Sequence, residues 1–157
     1  MNPFRVISCS LSPNTNRSDI ARAFSLFVSS PKDSRGYKKT CEQWFLNRYH
    51  PIDFRFFLSG RQAMTALLST FGIKEGDEVI IQAFTCMVVA NAIRHTGATV
   101  KYADIDSSYN LTVQSIKKVV TKETKAIIVQ HTFSIPADIA AIREYTKKTG
   151  IVLIEDL

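Results

Sequence analysis

Three cysteines in 157 residues, Cys9, Cys41 and Cys86, are too few and too widely spaced to staple a fold or to hold zinc. A disulfide framework is not expected, and a reducing cytoplasm is the expected compartment. No stretch of 18 or more apolar residues occurs, so no membrane-spanning helix is expected. The first residues, Met1-Asn2-Pro3-Phe4-Arg5, lack the long apolar core of a secretory signal. His50, His95 and His131 do not share metal-ligand spacing, and no metal is expected. Glycine is scarce, at six residues. No Gly-x-Gly-x-x-Gly dinucleotide loop is present, and no phosphate loop ending in Gly-Lys-Ser/Thr. Internal repeats and low-complexity segments are absent too.

What is present is an ordinary globular composition, 45% hydrophobic and 22% charged. The length allows one domain with a real core. The net charge of +6 is unevenly spread. Residues 1–50 carry eight Lys/Arg against three Asp/Glu, whereas residues 51–157 carry twelve against eleven. The basic character therefore belongs to the leading segment, which could face an acidic partner or substrate, or only solvent. No aromatic-basic motif accompanies it, so nucleic acid is not an expected partner.

Taken in order, the chain divides near residue 53. Residues 10–16 are turn formers. Ser18 is the expected cap of a helix over 19–29, with Ile20, Ala23, Phe24 and Phe27 at helical spacing. Pro31 to Gly36 breaks it, and a second helix over 37–48 places Cys41, Trp44 and Phe45 on one side. Residues 1–53 thus read as a basic helical arm that packs on this domain or on a partner subunit. From residue 54 strands and helices alternate. Strands are expected at 54–58, 78–82, 99–103, 126–130 and 151–155, and helices at 61–71, 86–95, 113–120 and 137–148. Thr112 caps the third of these helices, and Gly97 and Gly150 end two others. Continuous apolar strands separated by helices predict an α/β fold with a mainly parallel sheet covered by helices on both faces.

Two places in this alternation can carry chemistry. Phe54-Arg55-Phe56-Phe57-Leu58-Ser59-Gly60 reads as a strand and a tight turn that opens a helix. A helix N-terminus with glycine in front suits an anion, usually a phosphate, and equally suits an ordinary strand-to-helix connection. At the other end, Asp156 lies just past the carboxyl end of the last strand, where ligands of open α/β sheets bind. It is either a ligand contact or a cap for a following helix. The chain stops one residue later, so it is expected to be incomplete as a functional unit. Other candidates are weaker. His95 suits a helix C-terminus. His131 ends a strand and could touch a ligand. Cys86 opens a helix without an evident base beside it, and as a thiol it suits packing. Asp104 and Asp106 read as a turn rather than a metal site.

Several pieces then fall in one order: Ser59-Gly60-Arg61-x-Ala63, Gly76-Asp77-Glu78-Val79-Ile80, Phe84-Thr85-Cys86, Asn91-Ala92-Ile93, Gly97-Ala98, Asp104-Ile105-Asp106, Thr124-Lys125-Ala126-Ile127 and Ile154-Glu155-Asp156. Together they resemble the DegT/DnrJ/EryC1/StrS family of pyridoxal-phosphate-dependent sugar aminotransferases, over residues 54–157. The matched part resembles the beginning of the large domain of a fold-type-I enzyme, so 54–157 reads as an incomplete cofactor-binding α/β domain.

The resemblance implies pyridoxal 5'-phosphate as cofactor and assigns roles. Gly60, with the backbone N–H groups of Arg61 and Gln62, would hold the phosphate. Arg61 stands where many relatives have Thr, and its guanidinium either reaches the phosphate or points outward. Asp156 would pair with the pyridine nitrogen and keep it protonated. Cys86 stands where many relatives carry an aromatic that stacks on the ring. Ser134 stands where relatives often have Gly. The family's Schiff-base lysine lies downstream of the Glu-Asp pair, and none of the eleven lysines here matches it. The chain alone is therefore expected to be inactive. The whole enzyme would move an amino group from an amino acid, glutamate in the first instance, to a nucleotide-linked keto-sugar, as a cytoplasmic homodimer. Sugar dehydration on the same scaffold, and a non-catalytic remnant or partner subunit, are the alternatives.

Overall fold

A computed structural model describes residues 16–28, 34–49 and 54–157. The chain forms two compact units, Met1–Phe54 and Arg55–Leu157. Cys9, His50 and the turn formers before Asn16 lie outside the described residues, as do residues 31–33 of the break expected at 31–36, whose last three residues are helical.

In the first unit, α1 spans Arg17–Val28 and α2 spans Ser34–Tyr49. The cap of α1 is Asn16 rather than the expected Ser18. Asn16 Oδ1 accepts the N–H of Ser18 at 2.9 Å and of Asp19 at 3.1 Å. An amide oxygen two and three residues ahead of those donors satisfies the first turn, and Ser18 becomes part of the helix. Helix α1 buries none of its residues. On α2, Trp44 and Phe45 meet edge to face at 5.1 Å, and Phe45 stacks near Phe54 at 6.2 Å.

The second unit is organised by a four-stranded sheet in the order β2-β1-β3-β4. Its strands are β1 (Glu78–Gln82), β2 (Thr99–Ala103), β3 (Thr124–Gln130) and β4 (Val152–Asp156). Every pairing is parallel. Parallel neighbours need a crossover, and helices supply each one. These are α4 (Met87–Arg94), α5 (Val113–Val119) and α6 (Ile139–Thr149), with α3 (Gly60–Thr70) leading in. The period of two along each strand sorts the core into two layers. Val79, Ile81, Ala126, Ile128 and Ile154 pack with α3 and α4. Ile80, Ile127 and Val129 pack with Ile116 of α5 and Ile142 of α6. A fully buried side chain of this size contributes about 1.5–3 kcal/mol by leaving water, so the central strand β3, with Ile127, Ile128 and Val129 each 0% exposed, anchors both layers.

Local chemistry closes the elements. Thr112 accepts the N–H of Ser115 at 3.1 Å and forms a reciprocal cap with that serine. Gly150 ends α6 in the left-handed region, φ 73°, donating to Thr146 O at 2.9 Å. Gly97 has φ +85°, and a Cβ there would stand 3.2 Å from the Glu75 backbone nitrogen. Both the angle and the close approach demand glycine.

One expected strand does not form. Residues 54–57 enter α3 without joining the sheet. The apolar run joins no ladder, and Leu58 is 96% exposed. Ser59 has extended backbone, φ −153° and ψ 152°, and caps the helix.

Candidate functional site

The N-terminus of α3 is one wall of the site. Ser59 Oγ accepts the N–H of Gln62 at 3.3 Å. The geometry of a first helical turn leaves the N–H groups of Gly60 and Arg61 without intrahelical acceptors. Gly60 adopts no left-handed φ, contrary to the sharp turn expected of it. Its value is space, since a Cβ built there meets no atom within 4 Å. The Gln62 amide, expected to hold a phosphate, donates to the serine cap in this structure, because a helix-capping hydroxyl reaches the third amide of the turn.

The carboxyl ends of the strands form the floor. Gln130 and Asp156 stand opposite each other on β3 and β4. Gln130 Nε2 donates to Asp156 Oδ2 at 3.0 Å. The Thr85 hydroxyl, in the loop after β1, donates to Gln130 Oε1. Cys86 follows as the N-cap of α4, extended at φ −71° and ψ 136°, and its thiol makes no cap bond. Two adjoining cavities open on these residues. One, of about 560 Å³, is lined by Ser59, Gly60, Arg61, Gln62 and Met64 together with Cys86, Gln130 and Asp156. The other, of about 440 Å³, shares Cys86, Gln130 and Asp156 and continues to Gln82, Phe84, His131 and Phe133. Gly60, Arg61, Gln62, Cys86 and Asp156, far apart in sequence, are thus brought to one place. No lysine lines either cavity.

The far wall is built by the loops after β1 and β3, and the loop after β2 braces them. Buried Gln82 donates through Nε2 to the Phe84 carbonyl and to Thr132 Oγ1, each at 2.8 Å. Thr132 in turn donates to the Tyr109 carbonyl at 2.9 Å. Asn110 ties the two loops, donating to Ile135 O and accepting the Thr132 N–H, both at 3.0 Å. Phe84, Tyr109 and Phe133 lie with ring centroids 5.8 to 6.0 Å apart. Tyr109, Phe133 and Ser134 all have positive φ, 63°, 53° and 64°. Ser134 thus takes the backbone conformation that glycine adopts without strain.

The remaining candidates bond within the fold. His131 Nδ1 accepts the Ala137 N–H at 3.0 Å, which leaves its proton on Nε2, 3.5 Å from Glu155 Oε2. His95 caps α4, its Nδ1 donating to Asn91 O at 2.9 Å. Asp104 and Asp106 accept backbone N–H groups of Ile105 and Ser108 within their own turn. The Ser108 hydroxyl, with its N–H, holds the Asp106 carboxyl below its ordinary value.

Ser59 and Gln130 are the residues that sequence reading left without a role. The signal for Gln130 is visible in hindsight of the geometry: β1 and β3 both end their apolar runs on Gln, in line with the Asp that ends β4.

Residues 52–157 match the model of the DegT/DnrJ/EryC1/StrS aminotransferase family. Among curated relatives, UDP-N-acetyl-3-dehydro-alpha-D-glucosamine 3-aminotransferase of Acidithiobacillus ferrooxidans is 38% identical over 99 residues, 62% of this chain and 27% of that protein. GDP-perosamine synthase of Escherichia coli is 37% identical over 121 residues, 76% of this chain and 33% of that protein. The chain therefore spans about a third or less of the length of these relatives. Among solved structures, an aminotransferase from Psychrobacter cryohalolentis superposes with a TM-score of 0.81 at 25% identity, over 94% of this chain and 38% of that one. The matched region, the parallel sheet and the site at its carboxyl edge agree: the chain belongs to the DegT/DnrJ/EryC1/StrS aminotransferase family.

Proposed function

We propose that this chain supplies the phosphate-binding helix and the ring-nitrogen partner of a pyridoxal 5'-phosphate site. The protein it serves would transfer an amino group from an amino acid, glutamate in the first instance, to a nucleotide-linked keto-sugar. The observation that carries this reading is the meeting of the α3 N-terminus with Asp156 and Cys86 on one cavity. The donor set fits the cofactor. Two amides at a positive helix end suit a phosphate, and the open space at Gly60 lets it approach the backbone. A carboxylate at the opposite side suits a protonated ring nitrogen.

When bound, pyridoxal phosphate supplies an electron sink for removal of the substrate's Cα proton. The protein's own part is to hold it still. The Gly60 and Arg61 amides anchor the phosphate, and Arg61, which lines the same cavity, adds positive charge beside it. Asp156 keeps the proton on the ring nitrogen by charge-assisted bonding. Cys86, on the cavity between them, packs beside the ring with a smaller face than an aromatic side chain would offer. The complete protein is proposed to act as a homodimer in the cytoplasm, and residues 1–53 as an arm that serves the partner subunit or an anionic substrate.

Binding tests the reading directly. Titration of the chain with pyridoxal phosphate, followed by cofactor fluorescence, should give saturable binding that inorganic phosphate competes away. Asp156→Asn should weaken it by at least about tenfold without loss of fold, since a charge-assisted bond contributes roughly 1.5–3 kcal/mol. Equal affinity in the variant would refute the role of Asp156. No saturable binding would refute the site.

A further inference from the structure

We propose that Gln130 is a positioning residue, whose amide aims the Asp156 carboxylate at the ring nitrogen; this rests on the cofactor reading above. A carboxylate can swing about two side-chain torsions, and a misaimed one loses most of its bond. The structure removes that freedom. Asp156 Oδ2 receives the Gln130 Nε2 donor at 3.0 Å, from the residue directly opposite on the neighbouring strand. Gln130 is itself held from its other end by the Thr85 hydroxyl.

The polarity of this relay follows from chemistry. An ionised carboxylate accepts only, so the glutamine must present its NH₂ to Asp156 and its oxygen to Thr85. The reverse placement would set two acceptors against each other. Thr85 stands next to Cys86 in the loop that closes onto α4. The relay therefore runs beneath the cavities from the first loop to the last strand. Its strand, β3, is paired on both sides and buries Ile127, Ile128 and Val129 completely, which makes the donor's origin rigid. Oδ2 is taken by the amide. Oδ1 takes no hydrogen bond among the described residues and is the oxygen left for a ligand.

A glutamine that merely cross-links two strands would affect any ligand alike. One that aims Asp156 would affect only ligands with a ring nitrogen. The probes are pyridoxal phosphate and its analogue with carbon in place of that nitrogen. The native chain should prefer pyridoxal phosphate. Gln130→Glu keeps the shape and removes the donor, and Gln130→Leu removes both ends of the relay. Each should cut the preference by about tenfold, as loss of an orienting partner commonly does, and leave affinity for the carbon analogue within about twofold. Preference retained in both variants would overturn the proposal, as would an equal loss for both ligands. A native chain without preference would overturn the cofactor reading and this inference with it, and is distinguished from those outcomes because no variant is involved.

A second readout needs no ligand and no Gln130 variant. In the native chain, one Nε2 proton of Gln130 should resonate downfield and exchange slowly with solvent. Asp156→Ala should abolish both properties. A Gln130 amide signal indifferent to that change would overturn the proposal.

Discussion

The two edges of one parallel sheet differ in how they use polar groups. At the amino edge, Glu78 receives the Thr121 hydroxyl at 2.6 Å and pairs with Lys101 at 3.5 Å, and its backbone N–H meets Glu123 O at 2.9 Å. Polar groups there satisfy each other. At the carboxyl edge, Gln130, Asp156 and Cys86 face two cavities, and the three non-glycine residues with positive φ, among those described, sit in the loops nearby. Strain kept in place by surrounding structure gathers where ligands bind. The comparison teaches that stability and chemistry divide between the edges of a common core.

The strongest way to erase the difference is to damage the core beneath both. Ile128 is 0% exposed on the central strand. Ile128→Ala should destabilise the second unit by about 2–5 kcal/mol, read as a drop in urea midpoint. Cofactor binding should then track the folded fraction. A midpoint unchanged would mean that β3 is not the anchor.

Glu78→Ala sharpens the contrast from the amino side. It strands Lys101 and two threonine hydroxyls. The expected cost is about 1–2 kcal/mol of stability, with pyridoxal phosphate affinity unchanged. An affinity loss larger than the loss of folded protein would show the edges to be coupled.

Ser134→Gly works from the carboxyl side. A serine at φ 64° is strained, and glycine relieves it. Thermal denaturation should show a gain of about 1 kcal/mol. A loss instead would mean that the Ser134 side chain contributes something the strain argument omits.

The smallest effect concerns pH. Asp106 has its carboxyl held low, first by the Ser108 hydroxyl and then by its N–H. A depressed carboxyl contributes stability above its unfolded pKa, and that contribution is lost as pH falls through the folded value. The native chain should therefore lose a small increment of stability in acid that Ser108→Ala lacks. Superimposable acid profiles of the two proteins would contradict this.

Much of this arrangement was legible in the sequence. Elements with local signals were read correctly: Thr112 before an apolar helix, Gly150 after one, and four strands as short β-branched runs. The run at 54–58 was not, because its apolar residues look like a strand while ladder edges are a non-local property. Ser18 lost its cap to Asn16, which has the better-placed oxygen. In the site, Gly60 and Asp156 stood out from the order of motifs, and they line one cavity. Gln130 was not, because its meaning comes from facing Asp156 in register across two strands. Ser59 was given no role, because its hydroxyl's bond to the Gln62 amide depends on where the helix begins.

The account rests most on where a phosphate-bearing pyridine ring sits. Amide shifts mapped across the ¹⁵N-labelled chain during titration with pyridoxal phosphate test this directly. The largest changes should fall at Gly60 and Arg61 and at Asp156 with its partner Gln130, while the amino edge around Glu78 and Thr121 stays still. Saturable changes centred on that amino edge, with Gly60 and Asp156 silent, would contradict it.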